Sequence, residues 1–158
     1  MIARRYPSAG PLPGSADVTR RMSATRRRDT TPELALRSAV HLLGLRFAVD
    51  ARPVETYRRR ADLVFRGARV AVFMDGCFWH GCPKHCSWPK ANAEWWRAKI
   101  ERNKRRDHET AERLRDEGWV VVRFWEHEPV ARCAARVAAV VKRRLIARPA
   151  PRSRSARE

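Results

Sequence analysis

The chain has 158 residues, with 35 Lys+Arg against 17 Asp+Glu and a formal charge of +18, a length suited to one domain with a core and two tails. No run of about 18 apolar residues is present, which argues against a membrane-spanning helix, and Met1–Ala16, rich in Pro, Gly and Ser, lacks the apolar core of a secretion signal. The charge is silent on fold but favours a polyanionic partner, because each neutralised phosphate releases counterions.

Residues 1–16 read as a disordered tail, and Asp17–Asp29 as a polar, Arg-studded arm with one apolar anchor, Met22. A first helix is predicted from Thr31 as N-cap, with Pro32 at the first helical position and Glu33 in the first turn. Leu36, Val40 and Leu43 follow at helical spacing, and Gly44 supplies the C′ residue. Glu33 shares their buried face, an unusual place for a carboxylate. Three short β-like runs come next, Arg46–Asp50, Ala61–Phe65 and Arg69–Met74, with Arg66-Gly67 suited to a tight hairpin and Arg52–Arg60 a basic loop.

Beyond a Cys/His-rich turn, Asn92–Glu117 reads as one long helix stopped by Gly118. Its inward stripe is Trp96, Ile100, Asn103, Asp107, Ala111 and Leu114. Trp119–Trp125 is nearly all apolar, as expected of a central strand. Glu128–Ala147 is a last helix, on which Cys133 reads as core, and 148–158 is a basic tail with no means of burying itself. This order predicts a single α/β domain over residues 17–147, a mixed sheet flanked by helices.

The chemistry is concentrated in Asp75–Cys86, D-G-C-F-W-H-G-C-P-K-H-C. With no export signal, the four cysteines are expected in a reducing cytosol, as metal ligands or buried thiols rather than disulfides. Cys77, Cys82 and His85 lie close in sequence, and His127, just past the last strand, is the candidate fourth ligand of a structural Cys₂His₂ zinc site. Cys86 is the rival of His85. The plain alternative, unliganded thiols and surface histidines, fits the spacing less well.

If zinc pins that loop, His80 is held at its rim. A neutral imidazole there can remove a proton from water, provided something fixes its tautomer. Asp107 stands on an apolar stripe and needs a partner; pairing it with His80 meets both needs. Asp62, inside the strand A-D-L-V-F, is either a solvated position or a hard ligand for Mg²⁺. The adjacent rings of Phe78 and Trp79, on so basic a chain, suit something flat to stack against.

The blocks Asp17-Val18 through Met22-Ser23, Asp29–Glu33, Arg60–Val64, Asp75–His80, Glu94–Ile100 with Asn103 and Arg106-Asp107, and Gly118-Trp119 through Trp125-Glu126 together resemble the very short patch repair (Vsr) DNA mismatch endonucleases, over about residues 17 to 130. The resemblance implies a restriction-endonuclease-like fold. It also implies a Mg²⁺-dependent nick on the 5′ side of the thymine in T·G mismatches, which arise when 5-methylcytosine deaminates. By motif, Asp62 matches the metal-binding aspartate, His80 the general base, Asp107 its orienting aspartate and Glu33 an acid near the site. Met74 takes the place of a residue whose backbone carbonyl helps bind the metal. Phe78, Trp79 and Trp96 match aromatics that wedge into the duplex beside the mismatch, and the 17–30 arm around Met22 would enter the minor groove opposite.

Three positions depart from the family pattern. Asp75 stands where a histidine can occur, His127 replaces a cysteine and Cys82 a histidine, so a two-sulfur, two-nitrogen set is kept. A bacterial cytoplasmic, nucleoid-associated monomer follows, acting on double-stranded DNA, with mismatch-repair proteins as further partners. Two other readings stand beside it: a restriction-type endonuclease that needs no mismatch, and a non-catalytic zinc-containing DNA-binding module.

Overall fold

The computed structural model describes residues 28–88 and 90–147. The expectations for the 1–16 tail, for Met22 and for the tail from 148 lie outside the described residues, as does most of the 17–30 arm.

Helix α1 (Thr31–Leu42) begins one residue earlier than the sequence suggests: Thr30 is the N-cap, in extended backbone, and its carbonyl accepts the first helical bond from the Leu34 N–H at 3.0 Å. No side chain of Thr30 caps the helix. Glu33 instead reaches back, its Oε2 accepting the Asp29 N–H at 2.9 Å, in the manner of a capping box shifted by one residue. Gly44, with φ of +79°, ends the helix as expected of a C′ residue.

Four strands follow in spatial order β1-β2-β3-β4: β1 (Ala48–Ala51), β2 (Ala61–Phe65), β3 (Val70–Asp75) and β4 (Val120–Trp125). The first three form an antiparallel meander, whereas β4 runs parallel to β3, paired from Val70↔Val120 to Asp75↔Trp125. The β2–β3 connection is a four-residue turn, Arg66–Arg69, closed by the Arg69 N–H on the Arg66 carbonyl at 3.1 Å. Its positive φ falls on Arg69 rather than Gly67. β4 is an edge strand among the described residues, not a central one. It still reads apolar because helices cover both its faces, α3 (Val130–Ala147) on one and α2 (Ala93–Asp116) on the other.

The larger core lies between the sheet and the helices α1 and α3, built from Leu36, Val40, Leu63, Val72, Phe124 and Val137, with Cys133 buried in it as expected. A smaller one on the opposite face joins Ala61, Val64 and Ala71 to Leu114 and Trp119. Trp125, in contrast to Trp119, stays half-buried and belongs to neither. No helix among the described residues is long and apolar enough to cross a membrane. The fold is one small α/β domain, and the C-terminal ends of the parallel pair β3 and β4 deliver Asp75 and Trp125 side by side to the Cys/His turn.

Candidate active site and metal centre

The turn after β3 is shaped against α2. Gly81 has φ of +64°, and a Cβ there would sit 2.6 Å from Lys104 Cε and 2.7 Å from Ile100 Cγ2, so only glycine lets the loop lie this close to the helix. The Asn103 side-chain amide donates to the Trp79 carbonyl at 2.9 Å. The stripe on α2 thus meets the turn residue by residue. Trp96 stacks edge-on with Phe78 and Trp79, Ile100 faces Gly81, Asn103 holds the backbone of Trp79, and Asp107 meets His80.

His80 Nδ1 lies 2.5 Å from Asp107 Oδ2. An ionised carboxylate only accepts, so the proton sits on Nδ1 and leaves Nε2 as the basic nitrogen. Burial by itself would raise the Asp107 carboxyl, but the His80 hydrogen bond and charge, followed by Arg123, outweigh it and hold the group below the ordinary carboxylate value. The sequence pairing of these two residues is therefore present in the structure.

Arg123 on β4 was not legible as a site residue. Its guanidinium grips Asp75 with both arms, Nε to Oδ2 at 2.7 Å and Nη2 to Oδ1 at 2.5 Å, and Nη2 lies 3.4 Å from Asp107 Oδ2. It also lies over the Phe73 ring, 5.0 Å from its centre. Asp75, buried beneath, has its Oδ1 3.6 Å from His80 Nδ1. Asp75, His80 and Asp107 would look like a metal site from distances alone, all within 4.8 Å. The arginine already supplies the cation there. The available signal was weak: one charge interrupting an apolar strand, V-V-V-R-F-W.

Asp62 reaches the same strand end from the neighbouring strand. The β2–β3 ladder is paired only as far as Leu63↔Val72, and beyond it the Met74 N–H donates to Asp62 Oδ2 at 2.7 Å. Burial pushes the Asp62 carboxyl up to about 6, the Met74 hydrogen bond opposes that shift, and the charges of Glu33 and Asp75 add to it. A half-buried carboxylate near two other acids, raised in this way, fits a site that a hard divalent cation would relieve. Glu33 is buried as predicted, and Arg37 Nη2 donates to its Oε2 at 3.2 Å. Its carboxylate thus ties down the start of α1 as well as lying near Asp62.

The second constellation gathers Cys77, Cys82, His85 and His127, whose ligand atoms all lie within 4.8 Å of one another. Cys77 Sγ is 3.1 Å from His127 Nδ1, and Cys82 Sγ is 3.8 Å from His85 Nδ1 and 3.9 Å from His127 Nδ1. These values bracket the sulfur-to-nitrogen edge of about 3.6 Å that tetrahedral zinc bond lengths require. Cys86 is elsewhere, with its thiol 4.0 Å from the Phe78 carbonyl, so the structure brings His85 and not Cys86 to the cluster.

Burial first, then Cys82 and Glu126, push the Cys77 thiol up to about 12. For Cys82 burial acts in the same upward direction, but backbone N–H groups of Lys84 and His85 point at its sulfur and bring it below the ordinary thiol value. Two buried sulfurs and two imidazoles in this arrangement are a donor set that fits zinc. Glu126, just past the end of β4, braces the site by accepting the Cys77 N–H at 2.6 Å.

Around the turn, Phe78 and Trp79 are half-buried and contact edge to face at 5.2 Å, while Trp96 lies beneath them, 7% exposed. Lys99 Nζ sits 4.8 Å from the centre of the Trp95 ring.

Comparison with known proteins identifies the family of the chain. The family model described as DNA mismatch endonuclease Vsr matches residues 14–88. The Type II nicking enzyme V.NaeI of Lentzea aerocolonigenes is 43% identical over 129 residues, 80% of this chain and 78% of that protein. The chain belongs to the Vsr family. The Type II nicking enzyme V.NmeDIP of Neisseria meningitidis serogroup C is 41% identical over 126 residues, 77% of this chain and 83% of that one. The DNA mismatch endonuclease Vsr of Escherichia coli (strain K12) is 35% identical over 114 residues, 70% of each chain. Membership of the Vsr family makes the protein a DNA endonuclease and agrees with a restriction-endonuclease-like fold. Asp107, Arg123 and His127 lie beyond the matched family segment, which ends at residue 88, so their assembly with His80 and Cys77 comes from the fold.

Proposed function

We propose that this Vsr-family endonuclease nicks one DNA strand on the 5′ side of the thymine in a T·G mismatch, with His80 as general base. The observation that carries the reading is the His80–Asp107 pair at 2.5 Å, set at the strand end where the half-buried Asp62 is held by the Met74 N–H. Asp107 holds the Nδ1 proton, so His80 Nε2 faces the reaction as a base and takes a proton from the attacking water. Arg123 keeps Asp75 and Asp107 neutralised, which prevents two carboxylates from competing for the same imidazole. Asp62 and the Met74 carbonyl would hold Mg²⁺. That ion, when bound, polarises the phosphate and stabilises the leaving oxyanion.

Zinc on Cys77, Cys82, His85 and His127 would clamp both ends of the catalytic turn. Phe78 and Trp79, backed by Trp96, are the surface that presses between base steps. Such insertion costs a few kcal/mol per step, and least where pairing is already weak, which is a physical source of mismatch preference. The relatives called nicking enzymes favour a single-strand cut over double-strand cleavage. A purely DNA-binding module would leave the raised Asp62 carboxyl and the His80–Asp107 pair without a use.

The test compares nicking of a T·G duplex and the fully paired duplex of the same sequence, with Mg²⁺, by the wild-type chain and by Asp62→Ala and His80→Ala. Mismatch-dependent nicking lost in both variants, with DNA binding kept, supports the reading. Equal cutting of both duplexes would replace it with the restriction-type alternative, and undiminished cutting by either variant would overturn the assigned roles.

A further inference from the structure

On the flank of the His80 centre, the loop between β1 and β2 and the middle of α2 enclose an open cleft of about 300 Å³. Its lining includes four arginines, Arg58, Arg59, Arg106 and Arg113, with Tyr57 along one wall and Glu109 as the one acidic residue. Among the described residues none of the four lies within ion-pairing distance of a carboxylate, whereas Arg37, Arg60 and Arg123 each have an acidic partner. All four cleft arginines are exposed, and partial desolvation followed by the like charge of Arg106 lowers the Arg59 guanidinium, with the charge of Asp107 opposing that shift. Tyr57 is tethered through its hydroxyl, 3.3 Å from Glu117 Oε1, so this wall is fixed to the end of α2.

Arg106 immediately precedes Asp107, the residue that holds His80. The charge of Asp107 also acts on Arg59, so the cleft lies near the His80–Asp107 pair, where the nuclease reading puts the reacting phosphate. Planar guanidinium groups match the paired oxygens of a phosphodiester, and a concave cluster of them suits an anion better than a solvated face does.

We propose that this cleft holds a non-scissile backbone phosphate of the bound DNA, adjacent to the phosphate that the His80 centre hydrolyses. The proposal rests on the nuclease reading for the identity of its ligand and for which phosphate it is.

The experiment measures binding of the full chain to duplexes in which single phosphates are replaced, one position at a time, by neutral methylphosphonate, without divalent ions and on both T·G and paired DNA. It uses the wild type, the double variant Arg59→Gln/Arg113→Gln and the charge-keeping variant Arg59→Lys/Arg113→Lys. The wild type is expected to lose affinity several-fold at one or two positions flanking the scissile phosphate. The Gln variant should bind more weakly on both duplexes and show no loss at those positions. Its log–log salt dependence should be shallower by about 0.9 for each phosphate contact removed, while the Lys variant keeps the wild-type slope. A Gln variant with the wild-type slope and the wild-type position profile would overturn the proposal. Nicking is scored separately on the same wild-type preparation, so a chain that fails to nick T·G DNA but shows the variant-dependent profile still supports the phosphate site.

Discussion

The Cys77–Cys86 turn carries two constellations that start three residues apart and are built in opposite ways. The cysteine and histidine cluster is closed: its four ligand atoms face one another, and three of the four come from nine consecutive residues. The His80 centre is open. Its groups come from β2, β3, the turn, α2 and β4, each held by a neighbour, and in the proposed reading Nε2 of His80 is the nitrogen that meets the substrate side. A closed site of this kind gives up no ligand to chemistry and can only stiffen its surroundings. The open one depends on that stiffness, because positioning errors of about 1 Å are costly to catalysis.

The largest effect is expected from breaking the closed site, since both constellations should fall together. Metal analysis should find about one zinc equivalent in the wild type and none in purified Cys82→Ser. Its melting temperature should drop by about 10 °C, a few kcal/mol for a domain of this size, and nicking should be lost as well. A variant that keeps its stability while losing zinc would break the proposed division of labour.

His80→Ala sharpens the comparison from the other side. Nicking should fall by about 10² to 10⁴-fold, the range for a general base, with zinc content and melting temperature close to wild type. Arg123→Met comes next. With Asp75 and Asp107 no longer neutralised, nicking should slow by about 10 to 100-fold, as for residues that orient a catalytic ligand. Arg123→Lys should recover part of the rate by restoring the charge but not the two-armed grip.

The smallest effect concerns stability and pH. Asp62 is raised from 3.8 to about 6, so the folded state holds its proton more tightly than the unfolded state does. The carboxylate therefore destabilises the fold above pH 6, and the penalty fades as pH falls through 6 towards 3.8. In chelator, Asp62→Asn should be more stable than the wild type by about 1–3 kcal/mol at pH 8, with the gap closing by about pH 4 in denaturant titrations. That gain should come with loss of nicking, a site held at a cost to stability.

Much of the closed cluster was legible because its ligands are near neighbours and thiol and imidazole have few other reasons to crowd one turn. The α2 stripe was legible for a similar reason: a carboxylate at position 107 among Trp96, Ile100 and Leu114 breaks an apolar face and calls for a partner. Glu33 was readable as buried but not as the group that caps α1, because that bond depends on where Asp29 turns back. Phe78 and Trp79 were readable as a pair, whereas the sinking of Trp96 beneath them is a matter of packing.

What the amino-acid order determined by itself is local: the helix ends at Gly44 and Gly118, the spacing of Cys77, Cys82 and His85, and the placing of Asp107 on the inward stripe of its helix through helical periodicity. The sequence offered His127 as the distant fourth member of the cluster, but only the tertiary structure decided that β4 lies at an edge of the described sheet parallel to β3, and with it that Arg123 grips Asp75 and that His85 rather than Cys86 joins the cluster. The physical reason is that periodicity and ligand spacing act over one or two turns of chain. Strand order sets contacts between residues about fifty positions apart, such as Asp75 with Arg123 and Cys77 with His127, and no local pattern encodes which of several possible orders buries both faces of the sheet.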